Sequence, residues 1–513
     1  MGFFSKRSKK QQDKKQEDFT LDIYKDLDKN ISNLKVMLEE PNDLVIREFT
    51  AGHTDHKCAL VFIDGLVDKN LINNNILKNL QVMAEWKDLP VTNANLFNDI
   101  KQELVSISDV STGENLDDVS NALLYGSAIL YINGVRKAII ADVKGWETRS
   151  IDQPPSETII RGPREGFIEN FRTNMVLIRR YIRDPNLRFN TYDVGRRSKK
   201  KLALTYVDGI IHPDLLKEVK RRLSSIDMDS APESGYIEQW IEDSFLSPFP
   251  QMLNTERPDA VAEALLEGKF AIILDGTPFV LIAPATIGNT LQAPEDYYER
   301  WWIGTGLRML RYLAAFLAMF LPALYIALVS YHQGMIPTKL AFSIAASREG
   351  VPFPSVVEAF LMGITMELLR EASVRLPKAI GQTIGIIGGL VIGEAAVNAG
   401  VVSPIMVIVV ALTAIASFSV PAYSVAISFR LLRFGVMLAA AILGLYGIIL
   451  AYIMINIHIV NLKSIGVPYS SPFAPTFFQD WKDLVFRAPI PVLTKRPGYL
   501  LPDDKKSADK KGR

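Results

Sequence analysis

The chain has 513 residues, 57 of them basic and 56 acidic, for a net charge of +1. That balance argues against a nucleic-acid partner. The single cysteine, Cys58, excludes an intramolecular disulfide and a cysteine-based zinc site. The length suits two to four domains. Apolar residues are unevenly placed: up to residue 300 the chain reads as soluble protein, and the segment that follows reads as membrane.

In chain order, residues 1–19 place Lys6, Arg7, Lys9, Lys10, Lys14 and Lys15 among Gln, Asp and Ser. That composition buries no core, so a disordered basic tail over 1–30 is expected, solvated or touching an anionic leaflet. The N-terminus lacks an apolar h-region, so no secretory leader is expected. Cys58 suits a small buried residue at the head of a strand.

A weak internal repeat follows. The run from Ala59 to Val67 (ALVFIDGLV) lines up with the run from Ala203 to Ile211 (ALTYVDGII). Ala122–Gly126 and its strand, Asn133-Gly134, strand sequence line up with Ala264–Gly268 and its strand, Asp275-Gly276, strand sequence. Asn-Gly and Asp-Gly between apolar runs are strong hairpin signals. Two related small α/β subdomains are therefore expected, over 31–150 and 191–300.

Between them lies an Arg-rich connector, 151–190. Pro163 in a first turn, with Glu165 and Glu169 near the positive end of the dipole, predicts a helix over 163–183. Phe167, Phe171, Met175, Ile178 and Ile182 form its apolar stripe. Arg161, Arg164, Arg172, Arg179, Arg180 and Arg183 crowd this segment without one Lys among them. They suit either a solvated surface or bidentate docking onto carboxylates or anionic lipid.

No catalytic constellation is legible, and no enzyme activity, cofactor or metal site is expected. Neither Asp-Gly turn resembles a phosphate loop, His53 and His56 suit a surface loop, and Asp64 and Asp208 are explained by turn geometry.

Residues 301–465 read as a helical transmembrane domain. Spans are expected at 312–330, 379–399, 402–420 and 434–459, with Arg308 and Arg311 marking the cytoplasmic side. Residues 355–375 carry Glu358, Glu367, Arg370 and Glu371, too many charges for a lipid-exposed span, and suit an amphipathic or partly inserted helix. The glycine-rich 379–400 suits either tight helix packing or a pore. In the pore reading Ile380, Ile384, Ile387, Val391 and Glu394 share the lining face. Four crossings put both ends in the cytoplasm but leave Arg430 and Arg433 on the wrong side. His458 suits an interfacial position. Residues 466–513, ending in a basic run, read as a cytoplasmic tail.

The segment QPPSETIIRGPREGFIENFRTNMVLIRRYIRDPNL resembles the signature of the A subunit of GerA-family spore germination receptors. So do Thr255–Asp259, Asp275–Pro278, Gly466–Tyr469, Ser471–Pro475 and Arg496-Pro497, and the likeness runs over roughly 55–500. The resemblance implies a multi-pass protein of the spore inner membrane that self-associates into a ring, a pentamer. It implies a permease-like B subunit that binds the nutrient and a lipoprotein C subunit as partners. A nutrient-gated cation pathway is the implied activity, with Arg161, Arg164, Glu165, Arg172, Arg179 and Arg180 in inter-domain or assembly contacts. A non-conducting scaffold for the permease-like subunit is the alternative. A secondary transporter fits less well, because the membrane part is short and shows no inverted repeat.

Overall fold

The computed structural model describes residues 22–38, 41–52, 56–82, 93–145, 154, 157, 159–375 and 393–508. The first repeat runs α1 (Leu27–Leu38), β1 (Leu44–Thr50), β2 (Lys57–Ile63), α2 (69–81), α3 (93–104), β3 (Val110–Gly113), α4 (Leu116–Leu124), β4 (Ser127–Ile132) and β5 (Ala138–Asp142). Its strands form one antiparallel sheet in the order β1-β2-β4-β5-β3. α1 and α4 cover one face of that sheet, and α2 and α3 cover the other.

The second repeat runs α5 (Phe171–Tyr181), β6 (Leu187–Val194), β7 (Lys200–Val207), α6 (Pro213–Ser224), α7 (Ser234–Ile241), β8 (Leu253–Thr255), α8 (Pro258–Glu267), β9 (Phe270–Leu274) and β10 (Val280–Ala283). Its sheet order, β6-β7-β9-β10-β8, reproduces the first element by element. α5 and α8 take the places of α1 and α4.

The segment expected to connect the subdomains is thus the opening of the second one. Asn30 in α1 and Asn174 in α5 perform the same task. The Asn30 side chain accepts from Tyr24 N–H and donates to Tyr24 C=O, both at 2.7 Å. Asn174 clamps Ile168 in the same way at 2.9 and 2.6 Å. A buried amide satisfying two backbone groups fixes the entry of the chain into each helix. The helix expected from 163 begins only at Phe171, because Asn170 caps it, accepting from the N–H groups of Arg172 and Thr173. Before it, Phe167 N–H donates to Glu256 C=O at 2.7 Å and holds the chain extended. At the other boundary, 22–30 belongs to the first repeat rather than to a tail: Asp22 bridges to Asn115, and Ile23 and Leu27 are buried.

The helical part comprises α9 (Trp301–Ser330), α10 (Thr338–Arg348), α11 (Ser355–Arg375), a turn over 393–398, α12 (Pro404–Phe418) and α13 (Tyr423–Asn461). By length and composition α9 and α13 are apolar enough to cross a membrane, and α12 is a shorter apolar helix. α13 is not straight. Phe249 packs against both Phe429 and His458, with ring centroids at 6.2 and 6.1 Å. A continuous helix rising about 1.5 Å per residue would hold those two residues about 43 Å apart. The chain instead reverses at Gly444 (φ 60°, ψ −138°), giving antiparallel arms over 423–443 and 445–461. A Cβ at Gly444 would lie 2.8 Å from the His332 ring, so both the dihedrals and the close approach require glycine. The span expected at 434–459 therefore straddles a reversal.

The expected C-terminal tail is folded over 463–508. β11 (Lys463–Ser464) and β12 (Val467–Pro468) form a small hairpin. Ser464 Oγ accepts from Ala285 N–H at 2.9 Å, and the N–H groups of Asp503 and Asp504 donate to Ile210 and Gly209 C=O. Tyr469, Tyr499 and Leu500 are buried. The segment gains its order from contacts with the second repeat.

Candidate functional site

Three groups of charged side chains tie the parts together. The first is the Arg-rich segment. The apolar stripe of α5 lies in the core of the second repeat, while Val176 packs into the first. Arg179 donates from Nε and Nη2 to the two oxygens of Asp43 at 2.6 and 2.9 Å, with both side chains buried, and lies over the Phe189 ring. Arg172 Nη1 reaches Asp64 Oδ2 at 2.5 Å, but Arg172 is largely exposed. Arg180 pairs with Glu165 at 3.0 Å inside the same segment. Arg183 stacks on Tyr125 of the first repeat at 4.1 Å. Arg161 and Arg164 are exposed and form no ion pair among the described residues. Of the six expected assembly residues, Arg172 and Arg179 have salt bridges across the two repeats. Arg188, outside that set, adds a third tie through Nη1 to Leu38 C=O at 2.8 Å.

The second group joins the repeats to the helical part. Arg308, fully buried at the start of α9, pairs with Asp296 at 2.9 Å and Asp483 at 2.6 Å. Arg311 takes the other side of Asp296 at 2.7 Å, and Tyr297 OH donates to Asp483 at 2.7 Å. Both arginines, expected as markers of the cytoplasmic side, are thus consumed in a junction with the C-terminal segment. Burial pushes the Asp483 carboxyl above the usual carboxylate range, against the pull of Arg308.

Beside this junction opens a cleft of about 1210 Å³, lined by Asp259, Glu263, Tyr297, Tyr298, Asp480 and Tyr499 among others. Glu263 lies on the wall of the cleft with its side chain exposed to it. Desolvation, reinforced by Glu267 and Asp483, pushes its carboxyl up to about 7.

The third group lies within the helices. Glu358, buried in α11, pairs with Arg348 at 2.9 Å and accepts from Ser403 N–H at 2.8 Å. Glu367 pairs with Arg433 at 2.9 Å and Arg430 at 3.3 Å. The charges of 355–375 and the two arginines that conflicted with four crossings therefore neutralise one another in part. Arg430 lies near the soluble repeats, since Ser428 Oγ donates to Pro248 C=O. His458, in the returning arm, meets Ser247 Oγ at 2.9 Å.

Glu394 is exposed on its short helical turn and makes no ion pair among the described residues. Ile380, Ile384, Ile387 and Val391 lie outside the described residues, as does His53. Cys58 is buried in β2, and desolvation pushes its thiol up to about 12. Among the described residues no group of three or more His, Cys, Asp or Glu is placed to hold a metal ion.

Two structurally equivalent α/β repeats, joined by buried charge to a helical part with membrane-length apolar helices, define the class of protein. A family model described as Bacillus/Clostridium GerA spore germination protein matches residues 32–499. The chain belongs to the GerA spore germination protein family, as an A subunit of a germinant receptor. It is 50% identical over 467 residues to spore germination protein GerLA of Bacillus cereus, covering 91% of this chain and 94% of the relative. It is 47% identical over 480 residues to spore germination protein KA of Bacillus subtilis (strain 168), covering 93% and 87%. Among solved structures it is similar to the N-terminal domain of the A subunit of the Bacillus megaterium spore germinant receptor GerK3. That match has 35% identity and a TM-score of 0.41, covering 52% of this chain and 97% of that one.

Proposed function

We propose that this chain is the membrane-embedded A subunit of a nutrient-responsive receptor, forming with copies of itself a gated ion pathway in the spore inner membrane. The observation that carries this reading is Glu394, a carboxylate of the helical part that is exposed and makes no ion pair among the described residues. A carboxylate at membrane depth needs water or a counter-charge. In a ring of identical subunits it becomes a ring of carboxylates beside an aqueous path. Ile380, Ile384, Ile387 and Val391 supply the apolar constriction.

The proposed helical part passes six times: over 301–330, 355–375, the span expected at 379–399, 404–418, 423–443 and 445–461. Contacts support the alternation. Ser330 meets Ser355 at the end remote from the repeats, and Phe249 meets both ends of the α13 hairpin at the near end. Six passes keep the repeats and the C-terminal segment together on the cytoplasmic face and place Arg430 and Arg433 on that face as well.

A permease-like B subunit and a lipoprotein C subunit are the proposed partners. Arg161 and Arg164, exposed and without an ion pair among the described residues, are offered to them or to a second copy. Replacing Ile384, Ile387 or Val391 by Ser is expected to give leaky or spontaneously germinating spores. Wild-type behaviour from all three would remove this segment from the pathway and favour a scaffold.

A further inference from the structure

Glu367 is the meeting point of three guanidinium groups. Besides Arg433 and Arg430, Arg370 Nη1 approaches it at 3.7 Å, while Arg370 Nη2 reaches Ser417 Oγ at 3.0 Å. Three positive charges on one carboxylate leave an excess of two. Arg430 is only 8% exposed, and its Nε has no hydrogen-bond partner. Among the described residues no second carboxylate pairs with the cluster. Residues 376–392 contain no Asp or Glu. Glu358 is held by Arg348 and Ser403, and Glu371 by Arg375 at 2.6 Å.

The surroundings of the cluster are apolar. Ile364, Leu368, Phe418, Tyr423, Ile427 and Leu431 are all exposed around it, from 44% to 73%. Arg370 lies over the Phe418 ring at 4.6 Å, and Arg430 over Tyr423 at 5.7 Å. The cluster also sits toward the repeats: Phe418 and Ala422 line one cleft with Asn254 and Glu295. Excess cation beneath an apolar, aromatic rim, at the level where helices meet a soluble domain, matches one kind of ligand. It needs an anionic oxygen for the arginines and hydrocarbon for the rim.

We propose that Arg370, Arg430 and Arg433 hold the phosphate of an anionic lipid headgroup in the leaflet facing the soluble repeats. Glu367 keeps the three arginines converged when the site is empty. A phosphodiester bonded to Arg370, the most accessible of the three arginines, offsets the excess charge, and the acyl chains cover Leu368, Phe418 and Leu431. This inference rests on the membrane-embedded reading above, but not on conduction.

The test uses the full chain, purified from vesicles of mixed phosphatidylglycerol and phosphatidylcholine, with retained lipids counted by native mass spectrometry. Wild type is expected to retain phosphatidylglycerol in preference to phosphatidylcholine. Arg370→Gln leaves Glu367 paired with Arg430 and Arg433, and is expected to lower that preference about fivefold, the effect of one basic residue at an anionic surface. Arg375→Gln removes an exposed charge outside the cluster and is expected to leave the preference unchanged. Equal losses in the two variants would reduce the effect to bulk charge and overturn the site. Displacement of the lipid from wild type by millimolar inorganic phosphate would overturn the lipid assignment in favour of a free anion. Retention of phosphatidylcholine without anionic preference would defeat the site while leaving the membrane reading intact. Retention of neither lipid would defeat the membrane reading itself.

Discussion

The two α/β repeats share strand order, the asparagine clamp and an Asp-Gly turn after the second strand, yet those turns meet different partners. In the first repeat Asp64 receives Arg172 and Lys69, and Gly65 faces Val176 of the second repeat. In the second repeat the turn at Gly209 accepts the backbone of the C-terminal segment at Asp504, 3.1 Å away. One turn design thus serves as a docking ledge twice, for whichever chain segment follows or returns. The difference lies in side-chain charge: the first ledge uses arginine and aspartate, the second only main-chain groups.

The comparison can be broken most strongly at Arg179. Removing one partner of a buried pair leaves an uncompensated charge, at a cost of about 3–5 kcal/mol. Arg179→Ala should therefore sharply lower the thermal unfolding midpoint of the full chain, and Arg179→Lys should recover only part of it, since Lys cannot reproduce the fork. Arg172→Ala, at an exposed pair, should cost about 0–1 kcal/mol in the same assay. Equal effects from the two would refute the distinction between a buried tie and a surface one.

The glycine pair comes next. Gly65 and Gly209 both have positive φ, 89° and 76°, so Ala at either costs about 1–2 kcal/mol. A Cβ at Gly65 would also lie 2.5 Å from Val176 Cγ2, whereas at Gly209 nothing lies within 4 Å. Overpacking adds about 1–3 kcal/mol at the first position alone, so Gly65→Ala should be clearly the worse in chemical denaturation. A smaller contrast is expected at the clamps. Asn30→Ala and Asn174→Ala each strand two backbone groups, at about 1–3 kcal/mol, and equivalence of the repeats requires similar losses. A large inequality would mean that the resemblance is topological only.

The smallest effect concerns pH. The Glu263 carboxyl is raised above its unfolded value near 4.5 to about 7, so the folded state binds the extra proton between those limits. Stability contributed at this site is present below about 4.5 and falls as pH rises toward about 7. Glu263→Gln should flatten that slope in a pH series of unfolding curves. An unchanged slope would show that cleft water screens the group.

Much of this arrangement is legible in the residues. The apolar run ending in Asp-Gly and the Asn-Gly and Asp-Gly hairpins mark β2, β4, β5 and their counterparts, because buried strands and tight turns have local signatures. β1 and β3 escape notice because they are edge strands with half-exposed, polar faces. The partners of α5 are illegible because they are remote: Asp43 stands 136 residues from Arg179, and Asp64 stands 108 from Arg172. Nothing local marks either acid as a docking point. The reversal at Gly444 is hidden for another reason. Glycine is common in membrane helices, so one more in an apolar run carries no signal until the His332 ring is seen against it. The pairing of Glu367 with Arg430 and Arg433 likewise needs two distant helices in one place.

Ion flux through the reconstituted receptor, comparing Glu394→Gln with the unaltered chain, separates a conducting ring from a scaffold. Removing this carboxylate is expected to lower cation selectivity or conductance while assembly stays intact. Unchanged permeation from an intact complex would contradict it, and would make this subunit a scaffold whose partner carries the pathway.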